Sequence, residues 1–140
     1  MAKNTEREIV QHIDQAFANL IASLNDLAGS VPPDLLLRSA AVIEQMCGGL
    51  TANLWDDPFE WTLPETLSTT DRIIEYLSEV DLARQRAFNS IRDDGALTKY
   101  ISAPAGEQQL VNLLLETLVK AGDYRGRAVA AVKLLSSEGT

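Results

Sequence analysis

Apolar residues recur at helical spacing along almost the whole chain. The first stripe falls within a narrow arc when about 100° is allowed per residue. It consists of Ile9, Ile13, Ala16, Phe17, Leu20, Leu24 and Leu27. Gly29-Ser30 and Pro32-Pro33 follow this stripe and are typical of the end of a helix. The pattern predicts a first helix at about residues 4–28.

Three further stripes predict three further helices, and no strand-like alternation of useful length interrupts them. These helices cover about residues 33–55, 69–91 and 106–136. The periodicity lapses between helix two and helix three, where two prolines lie. The sequence therefore predicts an all-α fold, a four-helix bundle with a long connection between helices two and three. Residues 1–140 are expected to form one domain.

Helix four has the widest apolar arc of the four predicted helices. One line along it consists of Leu110, Leu114, Leu118, Ala121, Tyr124, Ala128, Val132 and Leu135. A second, adjacent line consists of Val111, Leu115, Val119, Gly122 and Val129. Together they exceed half of the helix circumference, so this helix is either central in the bundle or shared with a second subunit. The second alternative predicts a homodimer through helix four.

The charge of the chain narrows the classes of partner. Twenty acidic residues against twelve basic ones give a formal net charge of -8, with no surplus that could neutralise nucleic-acid phosphates. We therefore expect no nucleic-acid partner. No window approaches the roughly 18 apolar residues needed to cross a bilayer, and the N-terminus lacks the apolar core of an export signal. Cys47 is the only cysteine, and these features together predict a cytoplasmic protein without a membrane partner.

Histidine and cysteine are too scarce for a conventional transition-metal site. The chain has one histidine, His12, and one cysteine, Cys47. Zinc and nickel are held mainly by clustered imidazoles and thiolates. We therefore predict no metal and no other cofactor.

Two segments nevertheless resemble a family of metal-binding bundles. Residues 38–46, which read RSAAVIEQM, and residues 120–127, which read KAGDYRGR, are similar to the DinB/YfiT-like superfamily of metalloenzymes. Members typically carry a histidine on helix two and an H-x-x-x-H-R-G-Q motif on helix four. The resemblance covers nearly the whole chain in layout, and at residue level it depends mainly on Arg125-Gly126. It implies a DinB-like four-helix bundle with three metal-binding imidazoles inside it.

In this chain all three ligand positions of that motif are exchanged. The resemblance assigns them to Met46, Lys120 and Tyr124, and its final glutamine to Arg127. A neutral thioether, an ammonium and a phenol with a pKa of about 10 would not hold zinc or nickel. The resemblance therefore implies a member with a degenerate metal site. Met46 and Tyr124 are expected in the core or in a cavity wall, and Lys120 at the edge of the apolar arc.

Two arginines lie within apolar lines. Arg84 falls between Val80 and Phe88 in the stripe of helix three, where an unpaired guanidinium would be costly. We expect it to pair with Asp81, with Glu75 or with an acid of another helix, or to face a wet cavity or a subunit boundary. Arg125 lies similarly close to the inner line of helix four. A cluster of Arg84, Arg125 and Tyr124 could bind a small anion, although structural ion pairing is the favoured interpretation.

The leading hypothesis is a DinB-like bundle protein that has lost its metal site. It would bind a small molecule or a protein through Met46, Lys120, Tyr124, Arg84 and Arg125, or through a dimer surface on helix four. One alternative is an enzyme with a non-standard site, either a metal-dependent hydrolase or a thiol-dependent transferase of the kind that the resemblance implies. Another is a structural oligomerisation module. We expect binding rather than catalysis and assign no catalytic residue.

Overall fold

The structure is a computed structural model, and it describes residues 6–31, 33–56, 67 and 69–138. Within this part of the chain it contains four α-helices and one small hairpin. The helices are α1 (Glu8–Leu27), α2 (Pro33–Ala52), α3 (Thr70–Asn89) and α4 (Leu110–Glu138). A 3-10 helix covers Asp94–Thr98, and an antiparallel pair of strands, β1 (Tyr100–Ala103) and β2 (Gly106–Gln109), follows it. The predicted all-α four-helix bundle is confirmed.

The predicted start of the last helix is wrong, because a short strand occupies the first residues of the predicted helix. The residues from Gly106 onward first form β2, and α4 begins only at Leu110. Gly106 has a φ of 120°, a conformation that favours glycine, and it allows the hairpin to turn after Pro104. Leu110 N–H then donates to the Lys99 carbonyl at 2.9 Å, which fixes the hairpin beside the first turn of α4. Strands of four residues are too short to show a clear alternation in sequence.

The other predicted helix ends differ from the observed ones by a few residues. A side-chain cap accounts for the start of α3, and a positive φ accounts for the end of α2. The Thr69 side chain accepts a hydrogen bond from Arg72 N–H and caps α3. Asn53 adopts a φ of 56° directly after α2, so the helix ends there rather than at Trp55. Most of the predicted long connection between helices two and three lies outside the described residues.

The core extends through all four helices. Its largest fully buried side chains include Phe17 on α1, Leu37 on α2, Phe88 on α3 and Leu114 on α4. Phe17 and Phe88 pack with their ring centroids 5.6 Å apart. Burying side chains of this size stabilises the fold by about 1.5–3 kcal/mol each before conformational entropy is subtracted. The hydrophobic stripes that predict the helices are therefore also the contact surfaces of the bundle.

α2 packs most extensively against α4, and small residues bring the two helices together. Ser39 is fully buried, and its hydroxyl donates to the Ala121 carbonyl at 2.7 Å. This bond satisfies the buried hydroxyl and links the middle of α2 to the middle of α4. The positions that the resemblance assigns to a metal site lie on these two helices.

Long-range hydrogen bonds close the opposite side of the bundle. The Asp94 carboxylate accepts from the backbone N–H groups of Ile9 and Val10, at 3.1 and 2.9 Å, and so caps α1 from the 3-10 helix. Arg7 donates to the Phe88 carbonyl at 3.0 Å. Asp93 caps the 3-10 helix through Ala96 N–H. No helix in the described part of the chain is long and apolar enough to cross a membrane.

Candidate functional site

A cleft opens between α2, the hairpin and α4. Its volume is about 320 Å³. Its lining residues are Val42, Gln45, Met46, Trp55, Ala103, Pro104, Ala105, Gln108, Leu113, Glu116, Thr117 and Lys120. The structure therefore brings together two of the three positions that the resemblance identifies, Met46 and Lys120. We call this space the Met46 cleft.

The Met46 cleft has an apolar floor and a polar edge. Met46 is only 2% exposed and contributes its thioether to the floor. Lys120 and Glu116 are exposed and lie one helical turn apart on α4, at the edge of the cleft. Neither makes an ion pair with another described residue. The cleft therefore offers apolar contact inside and two unpaired charges at its opening.

Trp55 forms one wall of the cleft because the chain returns sharply after α2. Gln45 Nε2 donates to the Trp55 carbonyl at 2.6 Å, and Trp55 Nε1 donates to Asn53 Oδ1 at 2.9 Å. The ring then lies against the backbone of Gly49, where an added Cβ would come within 2.3 Å of a ring atom. The Gly48-Gly49 pair thus permits a close approach of the segment that follows the helix.

Tyr124, the third position of the resemblance, does not line the Met46 cleft. Its ring is half-buried, and the Arg127 guanidinium lies 5.8 Å from the ring centroid. Arg127 also pairs with Asp123 at 3.0 Å on the exposed side of α4. The three side chains do not fit the metal site of the resembling family, because they offer a buried thioether, an exposed ammonium and a phenol outside the cleft.

Arg84 lies in a second, more open space between α1 and α3. It is paired as the sequence predicts: its Nε donates to Asp81 at 2.9 Å, and its Nη1 donates to Asp14 of α1. Burial acts to lower the pKa of Arg84, but the hydrogen bonds to Asp81 and Asp14 outweigh it and raise the pKa. The guanidinium is thus permanently charged and has its acceptors within the protein. We call these three residues the Arg84 cluster.

Cys47 and Glu44 lie on α2, and burial changes the pKa of both. The Cys47 thiol is fully buried, and desolvation raises its pKa to about 12 although Arg84 lowers it. Desolvation also raises the pKa of Glu44. The Tyr76 hydroxyl donates a hydrogen bond to the Glu44 carboxylate, and this bond acts to lower the same pKa. A thiol with this pKa remains protonated at neutral pH and is unsuited to nucleophilic chemistry.

Arg125 is anchored away from Arg84. Its Nε donates to the Ser23 hydroxyl of α1 at 2.6 Å, whereas Arg84 contacts Asp14 of the same helix. Asp14 and Ser23 lie about 13 Å apart along α1 at 1.5 Å per residue. The structure therefore gives the two guanidinium groups separate partners and does not gather them with Tyr124 into one anion site.

Several residues of the Met46 cleft carry no recognisable signal in the sequence. Gln45, Gln108 and the hairpin residues 103–105 lie in the lining only because the hairpin folds over α2. One signal was available for the wall: a Gly-Gly pair late in a helix, followed by a tryptophan, is typical of a close backbone approach. The chemistry of the site therefore depends on a tertiary contact between distant segments.

The described residues include no group of three or more histidine, cysteine, aspartate or glutamate side chains that could hold a metal ion. Comparison of the chain with protein-family models, with curated proteins and with solved structures found no match.

Proposed function

We propose that this chain is a binding protein of DinB-like form that takes a small amphipathic molecule into the Met46 cleft in place of a metal. The observation that carries the proposal is an open cleft with an apolar floor at Met46 and a cation, Lys120, that pairs with no carboxylate in the described part of the chain. Its volume of about 320 Å³ lies at the lower end of the range of small-molecule sites. The occupant is therefore a compact molecule with an apolar body and a polar head group.

The charged residues at the edge of the cleft determine which polar head group a ligand would need. Among the described residues that line the cleft, Lys120 is the basic one, and its flexible stem allows the ammonium to reach a group that projects from the opening. An acidic head group would pair with this ammonium, and a neutral hydroxyl would bind through the amides of Gln45 and Gln108. We therefore infer a ligand of the medium-chain carboxylic acid class, in which the chain rather than the charge provides most of the affinity.

Octanoate and 1-octanol test this proposal as a matched pair of probes. Both should perturb the indole N–H signal of Trp55 in a two-dimensional ¹⁵N NMR titration. Lys120→Glu should weaken octanoate binding by about tenfold, because a favourable charge becomes a repulsive one. The same substitution should leave 1-octanol binding unchanged.

Filling the cleft provides the second arm of the experiment. Val42→Phe places a larger side chain in the lining and should reduce the affinity for both probes. Ile74→Phe enlarges an exposed residue of α3 outside the cleft and serves as the matched control. Saturable binding that Val42→Phe leaves intact, or no perturbation of Trp55 by either probe, would refute the proposal.

We also propose that the chain forms a homodimer through α4. Leu115 and Val119 support this second function because 45% and 72% of their surfaces are exposed on the helix with the widest apolar arc. Sedimentation equilibrium across the micromolar range tests it, and a mass that stays at that of the monomer throughout would contradict it.

A further inference from the structure

Glu116 is a charged residue at the edge of the Met46 cleft that a simple carboxylic acid would leave without a counter-charge. It lies on α4 one helical turn before Lys120, and both side chains are exposed and line the cleft. In the described part of the chain its carboxylate makes no ion pair. A ligand whose only charge is a carboxylate would pair with Lys120 and be repelled by Glu116. Such an acid therefore matches the edge of the cleft only in part.

Two acid and base combinations of the same spacing follow each other along α4. Asp123 and Arg127 are four residues apart and form an exposed ion pair at 3.0 Å. Glu116 and Lys120 have the same spacing and the same order of charges, which favours an ion pair on a helix, yet no ion pair joins these two described residues. They line the Met46 cleft, whereas Asp123 and Arg127 do not. The Glu116 carboxylate and the Lys120 ammonium are therefore both available to a group that carries two opposite charges.

Thr117 adds a hydrogen-bond acceptor next to Glu116. It is 7% exposed and lines the cleft. Its hydroxyl donates to the Leu113 carbonyl at 2.8 Å, so toward a ligand its oxygen can act only as an acceptor. A primary ammonium has three N–H donors and can bind a carboxylate and a hydroxyl oxygen together, whereas a quaternary ammonium has no N–H donor. The acceptors at the edge therefore favour a primary ammonium.

We propose that the Met46 cleft binds an α-amino acid with an apolar side chain, in its zwitterionic form. The apolar side chain lies on the floor at Met46, the carboxylate pairs with Lys120, and the ammonium pairs with Glu116. The two charges of an α-amino acid are separated by a single carbon atom, so one head group can reach two side chains that are one helical turn apart. The assignment rests on the ligand binding proposed above and adds the ammonium, which makes Glu116 the residue that selects the head group.

Ligands with a single charge are a poorer match for the same edge. A fatty acid or an N-acylated amino acid lacks the ammonium and leaves Glu116 without a counter-charge. An alkylamine lacks the carboxylate and leaves Lys120 without one. Because Glu116 and Lys120 are exposed, solvent weakens each charge pair, and the preference for the zwitterion should be about fivefold.

Octanoate and 2-aminooctanoate test this assignment, because they share the chain and the carboxylate and differ only in the ammonium. The wild type should bind 2-aminooctanoate about fivefold more tightly, measured as dissociation constants from the Trp55 indole signal in a two-dimensional ¹⁵N NMR titration. Glu116→Gln should weaken 2-aminooctanoate binding by about fivefold and strengthen octanoate binding by about twofold, which reverses the order of the two probes. Structural damage to the cleft would weaken both, so the opposite effects identify selection of the head group.

Glu75→Gln is the matched control, because it makes the same exchange at an exposed position of α3 outside the lining of the cleft. It should leave both dissociation constants within about twofold of the wild type. Wild-type binding of octanoate that is as tight as that of 2-aminooctanoate, or an unchanged order of the probes in Glu116→Gln, overturns the zwitterionic ligand but not the binding of acids. A Trp55 signal that neither probe perturbs overturns both.

Discussion

The Arg84 cluster and the Met46 cleft both place a charged side chain between elements of the bundle, and the two charges differ in their partners. In the Arg84 cluster the guanidinium binds carboxylates from α1 and α3, and it is largely enclosed. In the Met46 cleft the ammonium of Lys120 is exposed and pairs with no described carboxylate. A charge whose partners are built into the fold stabilises the fold. A charge that stands unpaired beside an open apolar floor is available to a ligand.

The same comparison explains why the anion site considered for Arg84 is less favoured than the cleft. An incoming anion would have to displace Asp14 and Asp81 from the guanidinium, and it would leave two carboxylates without their partner. The two carboxylates would then repel the ligand. An anion that binds Lys120 would displace no described carboxylate.

Removing each cation in turn gives the largest expected difference between the two regions. Arg84→Met should lower the free energy of unfolding by about 2 kcal/mol, because Asp14 and Asp81 lose their partner in a partly buried place. Lys120→Met should change it by no more than about 0.5 kcal/mol. Urea unfolding followed by circular dichroism measures both. Equal losses in the two variants would show that Lys120 also has a structural partner.

Adding one methyl group to a helical glycine tests how Trp55 closes the cleft. Gly49→Ala should lower the free energy of unfolding by about 1 kcal/mol, because the Cβ would lie 2.3 Å from a ring atom of Trp55 and must displace the ring. Gly126→Ala is the matched control on α4 and should raise stability by about 0.5–1 kcal/mol.

The fluorescence of Trp55 checks the cause of the first effect. Displacement of the ring in Gly49→Ala should change its emission maximum, whereas Gly126→Ala should leave the emission as in the wild type. A stabilising Gly49→Ala with unchanged emission would mean that the ring does not lie on the glycine.

A pH series gives the smallest effect and concerns Glu44, whose carboxylate accepts a hydrogen bond from the Tyr76 hydroxyl. Its pKa is raised in the folded state above the ordinary 4.5, mainly by desolvation. The folded state therefore binds the proton more tightly than the unfolded state does, and stability is lost as the pH rises through the folded pKa. Glu44→Gln stays neutral, so its stability relative to the wild type should increase above pH 4.5 and then level off.

Tyr76→Phe is the companion variant in that series. It removes the hydroxyl that lowers the pKa of Glu44, so stability should fall more steeply with rising pH than in the wild type. Urea midpoints measured at a series of pH values check both variants. A difference between Glu44→Gln and the wild type that does not change with pH would contradict the raised pKa.

The hydrophobic pattern was a sufficient guide to the helices but not to the elements between them. Stripes such as that of Ile13, Phe17 and Leu24 are buried, because a long amphipathic helix must cover its apolar face. The hairpin of residues 100–109 was not predicted because its strands are only four residues long and the burial of β2 does not alternate. The ion pair of Arg84 was predictable, since a guanidinium in an apolar stripe requires acceptors.

The site was predictable only in part. The resemblance to the DinB/YfiT-like superfamily stays a prediction, yet two of the positions that it identifies, Met46 and Lys120, line one cleft. Tyr124 was expected in the same place, but it lies outside the lining and interacts with Arg127. A helix position specifies which face a residue occupies, and the neighbouring elements decide whether that face meets a cavity.

The sequence by itself determined the four helices, the absence of clustered imidazole and thiolate ligands, and the need to pair Arg84. These follow from local periodicity and from the chemistry of single side chains. The tertiary structure decided that Asp14 is the second partner of Arg84, that the hairpin and Trp55 wall the Met46 cleft, and that Leu115 and Val119 stay uncovered. Those outcomes depend on contacts between segments distant in sequence, which no local pattern encodes.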